Sequence, residues 1–136
     1  MNFKINHLQH IGITVTNLIV SEEFYNRLGF KNVMAADFDF NGGKGKVAMM
    51  QQGNMVIEIY QMPESELNEI RKRKNGHIDH IAFDVTDIDE AFSEMKSAGF
   101  ALIEKAPVFL SFWKNGCRYF NIIGPDGERL EFNQIL

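Results

Sequence analysis

The chain of 136 residues is 45% hydrophobic and carries 14 Lys plus Arg against 18 Asp plus Glu, a net charge of -4. That length and apolar share suit a single domain, 1–136, and the mild negative charge supplies no broad attraction for nucleic acid or an anionic membrane. No apolar run approaches the ~20 residues of a bilayer span. The start MNFKINHLQH lacks a signal peptide's apolar stretch, and the lone Cys117 excludes an internal disulfide or CxxC centre. These readings predict a cytoplasmic protein without nucleic-acid or membrane partners.

The first strong pattern is HIGITV at 10–15. Strand alternation sets Ile11, Ile13 and Val15 against a helix and His10, Gly12 and Thr14 on the other face. That helix is predicted from about Leu18, capped by Asn17, with Phe24, Tyr25 and Leu28 as its buried stripe and Gly29 as its terminator. Strands KVAMMQ at 46–51 and MVIEIY at 55–60 follow, joined through Gln52-Gly53-Asn54. Met55, Ile57 and Ile59 form one face of the latter strand, and Glu58 lies with Val56 and Tyr60 on the other.

Residues 62–76 read as a connector with a short amphipathic helix, marked by Leu67 and Ile70 and ending at Gly76. Its run Arg71-Lys72-Arg73-Lys74 is explained by a helix C-terminus and solvation. HIAFDV at 80–85 then puts Ile81, Phe83 and Val85 under a second helix and His80, Ala82 and Asp84 opposite. Asp87 caps that helix, and Ile88, Ala91, Phe92 and Met95 recur at helical spacing before Gly99. A strand is expected near Leu102 to Lys105. The stretch APVFLSFWKNG reads as a loop in which Phe109, Phe112 and Trp113 line a pocket mouth or fill core. CRYFNII at 117–123 and RLEF at 129–132 flank the reversal Gly124-Pro125-Asp126-Gly127. In these strands Leu130 and Phe132 face the core, while Glu131 and Asn121 face the other way. Arg118 reads as a surface ion-pair partner, Cys117 as an unactivated thiol, and His7 and His77 fall on the wrong strand face to join His10 and His80.

Residues 10–30 and 80–100 align without a gap at an offset of 70, with identities at His10/His80, Ile11/Ile81, Val15/Val85, Thr16/Thr86, Gly29/Gly99 and Phe30/Phe100. The chain is therefore read as α+β: two tandem βαβββ modules, about 5–61 and 77–136, forming a cupped, mostly antiparallel eight-stranded sheet with helices outside. Each module supplies one His from its first strand and one Glu from its last. A carboxylate on an apolar strand is costly unless paired or coordinated, so His10, Glu58, His80 and Glu131 form a candidate site for one divalent ion. Mixed nitrogen and oxygen ligation admits Ni, Zn, Co, Mn or Fe.

HIGITV with SEEFYNRLGF, VIEIY, HIDHIAFDV with DIDEAF, and GPDGERLEF together resemble the vicinal-oxygen-chelate superfamily, which groups glyoxalases, bleomycin-resistance proteins and extradiol dioxygenases. The resemblance spans essentially the whole chain and is nearest glyoxalase I. It implies metal ligands at His10, Glu58, His80 and Glu131. It further implies a lactoylglutathione-lyase-like lyase or isomerase that forms a metal-bound enediolate from a small carbonyl or thiohemiacetal, with Glu58 and Glu131 as candidate bases. Tyr60, Phe109, Trp113 and Asn121 are the candidate substrate-pocket residues. Glutathione-using members carry Arg where this chain has Thr14 and Asn where it has Met62, which points to a different thiol adduct or carbonyl compound. The alternatives are a metal-dependent epoxide-opening enzyme of the fosfomycin-resistance kind and a metal-free drug-binding protein. Many small relatives are homodimers, so a homodimer is expected.

Overall fold

The computed structural model describes residues 2–27, 29–73, 78–123 and 129–136. In chain order they form β1 (Ile5–Thr14), α1 (Leu18–Arg27), β2 (Lys31–Phe40), β3 (Gly43–Gln52), β4 (Met55–Gln61), α2 (Glu64–Lys72), β5 (Ile78–Val85), α3 (Ile88–Ser97), β6 (Ala101–Leu102), β7 (Val108–Leu110), β8 (Cys117–Ile123) and β9 (Arg129–Ile135). The fold is α+β, and most strand pairings are antiparallel. The chain divides into two compact units, His10–Asp79 and Met1–Gln9 with His80–Leu136. We call them the first-copy and second-copy units, after the repeat each contains.

In the first-copy unit the strand order is β2, β3, β4 and the later part of β1. Two tight reversals build it. At Asn41-Gly42 both residues have positive φ (47° and 77°), as a type I′ hairpin requires, and Phe40 pairs with Gly43 across the turn. At Gly53-Asn54 only the glycine has positive φ (59°), as in a type II′ turn, and Gln52 pairs with Met55. The expected strands at 46–51 and 55–60 are present. Strand β2 was not assigned from the sequence; most of its residues are exposed, with Met34, Ala36 and Phe38 half-buried on one face. Leu18, Phe30, Ala48, Met50 and Ile59 form the core, with Val15, Tyr25 and Ile57 against it.

Asn17 caps α1 through Oδ1, which accepts from the backbone of Val20 (3.2 Å). The predicted stripe on α1 needs correction: Phe24 is 55% exposed and only touches Tyr25 edge-on, while Leu28 lies outside the described residues. The 3.6-residue period carries Phe24 off the face that holds Leu18 and Tyr25. Helix α2 buries Leu67 and Ile70 as expected, but it ends at Lys72 rather than Gly76, which lies outside the described residues, as do Lys74 and His77. Arg71 and Arg73 are engaged on the helix itself, with Glu64, Asn68 and Glu69.

The second-copy unit orders the early part of β1, β5, β9, β8 and β6, with β7 also on β8. Asp87 Oδ1 accepts from the amides of Asp89 (3.0 Å) and Glu90 (2.9 Å), capping α3. Ile88, Ala91 and Met95 of α3 pack on Val85, Phe120, Ile122 and Phe132, and Phe120 stacks on Phe132 at 5.1 Å. Among the described residues there are nine strands rather than eight. The strand expected at Leu102 to Lys105 stops at Leu102, and Val108–Leu110 pairs with β8 where a loop was expected. Pro107 lacks a backbone donor and separates the two short pieces. Among the described residues, no helix is long and apolar enough to cross a membrane.

Candidate metal centre

Both copies place His and Glu by the same construction. The strand bearing the His runs parallel to the strand bearing the Glu, and the residue two after each His pairs with the Glu: Gly12 with Glu58, and Ala82 with Glu131. His10 and Glu58 therefore share a face in the first-copy unit, and His80 and Glu131 share one in the second. All four side chains are buried, His10 to 3% residual exposure. His10 Nε2 lies 3.6 Å from Glu58 Oε2, and His80 Nε2 lies 3.6 Å from Glu131 Oε2.

That spacing is too long for a hydrogen bond. It is near the ~3.4 Å that separates two tetrahedral ligand atoms each about 2.1 Å from an ion. Buried imidazoles and carboxylates facing one another at this distance fit a borderline divalent cation, which the donor chemistry alone would place among the transition metals.

The surroundings of the two pairs differ. Glu58 is flanked in the sheet by Gly12 and Met49. Tyr60, on the same strand face, is buried with its ring edge-on to Phe38 at 6.2 Å. Thr14 is buried too, and its Oγ1 accepts from Arg73 Nη1 (3.4 Å).

In the second-copy unit, Glu131 Oε1 accepts from Asn133 Nδ2 (2.7 Å), Asn133 Oδ1 accepts from Gln9 Nε2 (3.2 Å), and Asp84 accepts from Asn6 Nδ2 (2.7 Å) beyond them. His7 approaches only the outer carboxylate, Asp84, at 3.9 Å. On the other side of the pair, Arg129 Nη2 lies 3.2 Å from His80 Nδ1. A guanidinium only donates, so a hydrogen bond at this contact requires the His80 tautomer with Nδ1 unprotonated. If Nε2 held a metal ion, the neutral ring would carry its proton on Nδ1, facing the Arg129 guanidinium.

Asn121 pairs directly with Glu131 across β8 and β9 and shares its face. The other proposed pocket residues are placed differently. Phe109 pairs with Arg118, on the face opposite Glu131, is 58% exposed, and covers Gly116 where a Cβ would stand. Trp113 is half-buried in a turn with φ 64°, while Phe112 is core. Phe109 thus stands apart from the His–Glu face, because β7 sets the register that a loop reading left open. Arg118 is held by Asp89 in a two-pronged pair (2.6 and 2.8 Å), and that guanidinium keeps the Asp89 carboxyl below its ordinary range. Cys117 is buried, with Asn133 Nδ2 at 4.0 Å from its sulfur. The sequence reading missed Gln9, Glu104, Arg129 and Asn133. Arg129 and Asn133 were detectable in principle, as they alternate with Glu131 on one strand.

The family model for the Glyoxalase/Bleomycin resistance protein/Dioxygenase superfamily matches residues 9–119. The chain belongs to this superfamily. It is 31% identical to the Bacillus subtilis protein YwbC over 131 residues, 93% of this chain and 96% of that one. Among solved structures, protein BH1468 from Bacillus halodurans C-125 is 27% identical with a TM-score of 0.74, covering 100% of this chain and 96% of that one. Methylmalonyl-CoA epimerase from Mycobacterium tuberculosis shares the fold at a TM-score of 0.78 and 20% identity, over 100% of this chain and 92% of that one. This superfamily is typically metal-dependent, in keeping with the His–Glu donors, while the structural likeness to the epimerase speaks for fold rather than for a glyoxalase I activity.

Proposed function

We propose that His10, Glu58, His80 and Glu131 together hold one divalent transition-metal ion, and that the protein is a lyase or isomerase that moves a proton at a carbon next to a carbonyl group. The observation that carries this reading is the duplicated pair: in each copy a buried imidazole and a buried carboxylate face each other at 3.6 Å from equivalent strand positions. When bound, the ion supplies Lewis-acid polarisation of a substrate oxygen and charge stabilisation at that oxygen.

The two carboxylates take different parts. Glu131 is oriented by Asn133, itself oriented by Gln9, which suits a carboxylate that keeps its place through the reaction. Glu58 is the proton carrier. A carboxylate beside a dication would be too weak a base, so Glu58 would have to stand off the ion to take the proton from the substrate carbon and return it to the neighbouring carbon or to the same one. Return to the neighbour is isomerisation of the glyoxalase kind, on a small carbonyl or thiohemiacetal. Return to the same carbon is epimerisation, which the fold shared with methylmalonyl-CoA epimerase favours as a second reading.

Elemental mass spectrometry of the purified protein, with His80→Ala and Glu131→Ala beside it, tests the metal. About one ion per chain, lost in both variants, is the expected result. Absence of metal after reconstitution with nickel, zinc, cobalt, manganese and iron overturns the proposal in favour of a metal-free binding protein. With metal present, washing deuterium from solvent into candidate thiohemiacetals and acyl thioesters reads both proton-transfer outcomes, and epoxide opening without any exchange assigns the protein to the fosfomycin-resistance kind.

A further inference from the structure

Between the end of β6 and the start of β7, Glu104 folds its carboxylate onto Asn121 of β8. Oε2 accepts from the Asn121 backbone amide (2.6 Å) and Oε1 from its side-chain Nδ2 (2.9 Å). A carboxylate can only accept, so the Asn121 carboxamide has one possible orientation: its NH2 is given to Glu104 and its Oδ1 is turned elsewhere. Asn121 is 4% exposed, and its Oδ1 is buried without a hydrogen-bond partner among the described residues. A fixed, buried acceptor left unmatched costs free energy, and such groups in folded proteins call for a missing donor. Its strand partner, directly opposite and on the same face, is Glu131.

We propose that Asn121 is a specificity-determining residue whose Oδ1 accepts a hydrogen bond from a hydroxyl on the ligand held at Glu131, with Glu104 as its positioning residue. The substrate class is then an α-hydroxy carbonyl compound, a thiohemiacetal included, rather than an acyl group whose α-carbon bears only carbon and hydrogen. This rests on the function proposed above and chooses between its two outcomes. A site built to match a hydroxyl discriminates against the analogue lacking one, because the buried acceptor then stays unpaired.

The test compares malonate with tartronate, the same dicarboxylate with and without an α-hydroxyl, by calorimetric titration of the metal-loaded protein. The wild type is expected to bind tartronate at least about tenfold more tightly. Asn121→Leu is expected to bring the two affinities together. Glu104→Gln is isosteric and tests the same point should the leucine variant fold poorly. Its amide lets Asn121 turn over and present Nδ2, so the preference falls there too. A general loss of structure weakens both ligands alike and leaves their ratio unchanged, so the ratio is the deciding readout. Equal affinities in the wild type overturn the inference, as does a preference that survives in both variants, which assigns it to the metal alone. A wild-type protein that takes up no metal overturns the function proposed above, an outcome the metal analysis shows before any ligand is added.

Discussion

The two copies of the repeat carry one buried His–Glu pair each, built alike and set among different neighbours. In the first copy, the sheet neighbours of Glu58 are Gly12 and Met49. In the second, Glu131 is tied to Asn133 and through it to Gln9, with Asn121 on the strand beside it and Glu104 folded onto Asn121. Duplication preserved the backbone register that makes a His and a Glu converge. In the second copy an amide chain is joined to that shared register, which in the proposed function keeps Glu131 in place while Glu58 carries the proton.

The largest effect should come from exchanging the two carboxylates for amides. Glu58→Gln is expected to retain metal and lose about 10²–10⁴-fold in solvent deuterium exchange. Glu131→Gln should lose the metal itself. Equal metal loss in both variants erases the division of labour.

Asn133→Leu comes next, since it removes the donor to Glu131 and the Oδ1 that accepts from Gln9. Metal affinity should fall by about 10–100-fold in a competition titration, and urea denaturation should show a loss of about 1–3 kcal/mol. A metal affinity equal to wild type would mean that the amide chain serves stability only.

Arg129→Gln should have the opposite sign. A glutamine oxygen can accept from His80 Nδ1–H, whereas the guanidinium competes with that tautomer. Metal should therefore bind a few-fold more tightly, and weaker binding would break the tautomer argument.

The smallest effect is expected at the edge of the same unit. Arg118→Met should cost less than about 1 kcal/mol at neutral pH, because the pair with Asp89 is partly exposed. Its contribution should follow the carboxyl. Asp89 is held below its ordinary range by Arg118, so the stabilisation is present above the unfolded pKa of about 4 and fades as pH falls through the lower folded value. Denaturation curves of the variant and wild type should converge once pH falls below that lowered folded value.

Much of this was legible in the chain. The offset of 70 residues, together with strand alternation, gives the two His–Glu pairs and their faces, because a one-residue slip would send every side chain to the opposite face. Both glycine-terminated helices are as read, with Gly29 and Gly99 at positive φ (97° and 80°). Strand β2 was not read, although Asp37 and Asp39 alternate there with Ala36, Phe38 and Phe40, and Asn41-Gly42 after it carries a strong hairpin signal. Phe24 was misplaced because apolar character alone does not choose a helix face. The amide chain through Gln9 and Asn133, and the clamp of Glu104 on Asn121, join residues 124 and 17 positions apart. No local pattern marks such contacts, since polar side chains at these spacings look like any solvated surface until the strands pair.

The carboxylate of Glu104 also changes what the edge of β8 offers to other molecules. Val108–Leu110 covers one end of that edge and Ala101–Leu102 the other. The amide of Asn121 between them is closed by a side chain, and its carbonyl by the amide of Ile103. A strand patched from three short pieces, one of them a single charged group, gives an incoming extended chain no continuous run of donors and acceptors to read. The glutamate that orients an amide toward the site thus also guards the protein against edge-to-edge aggregation.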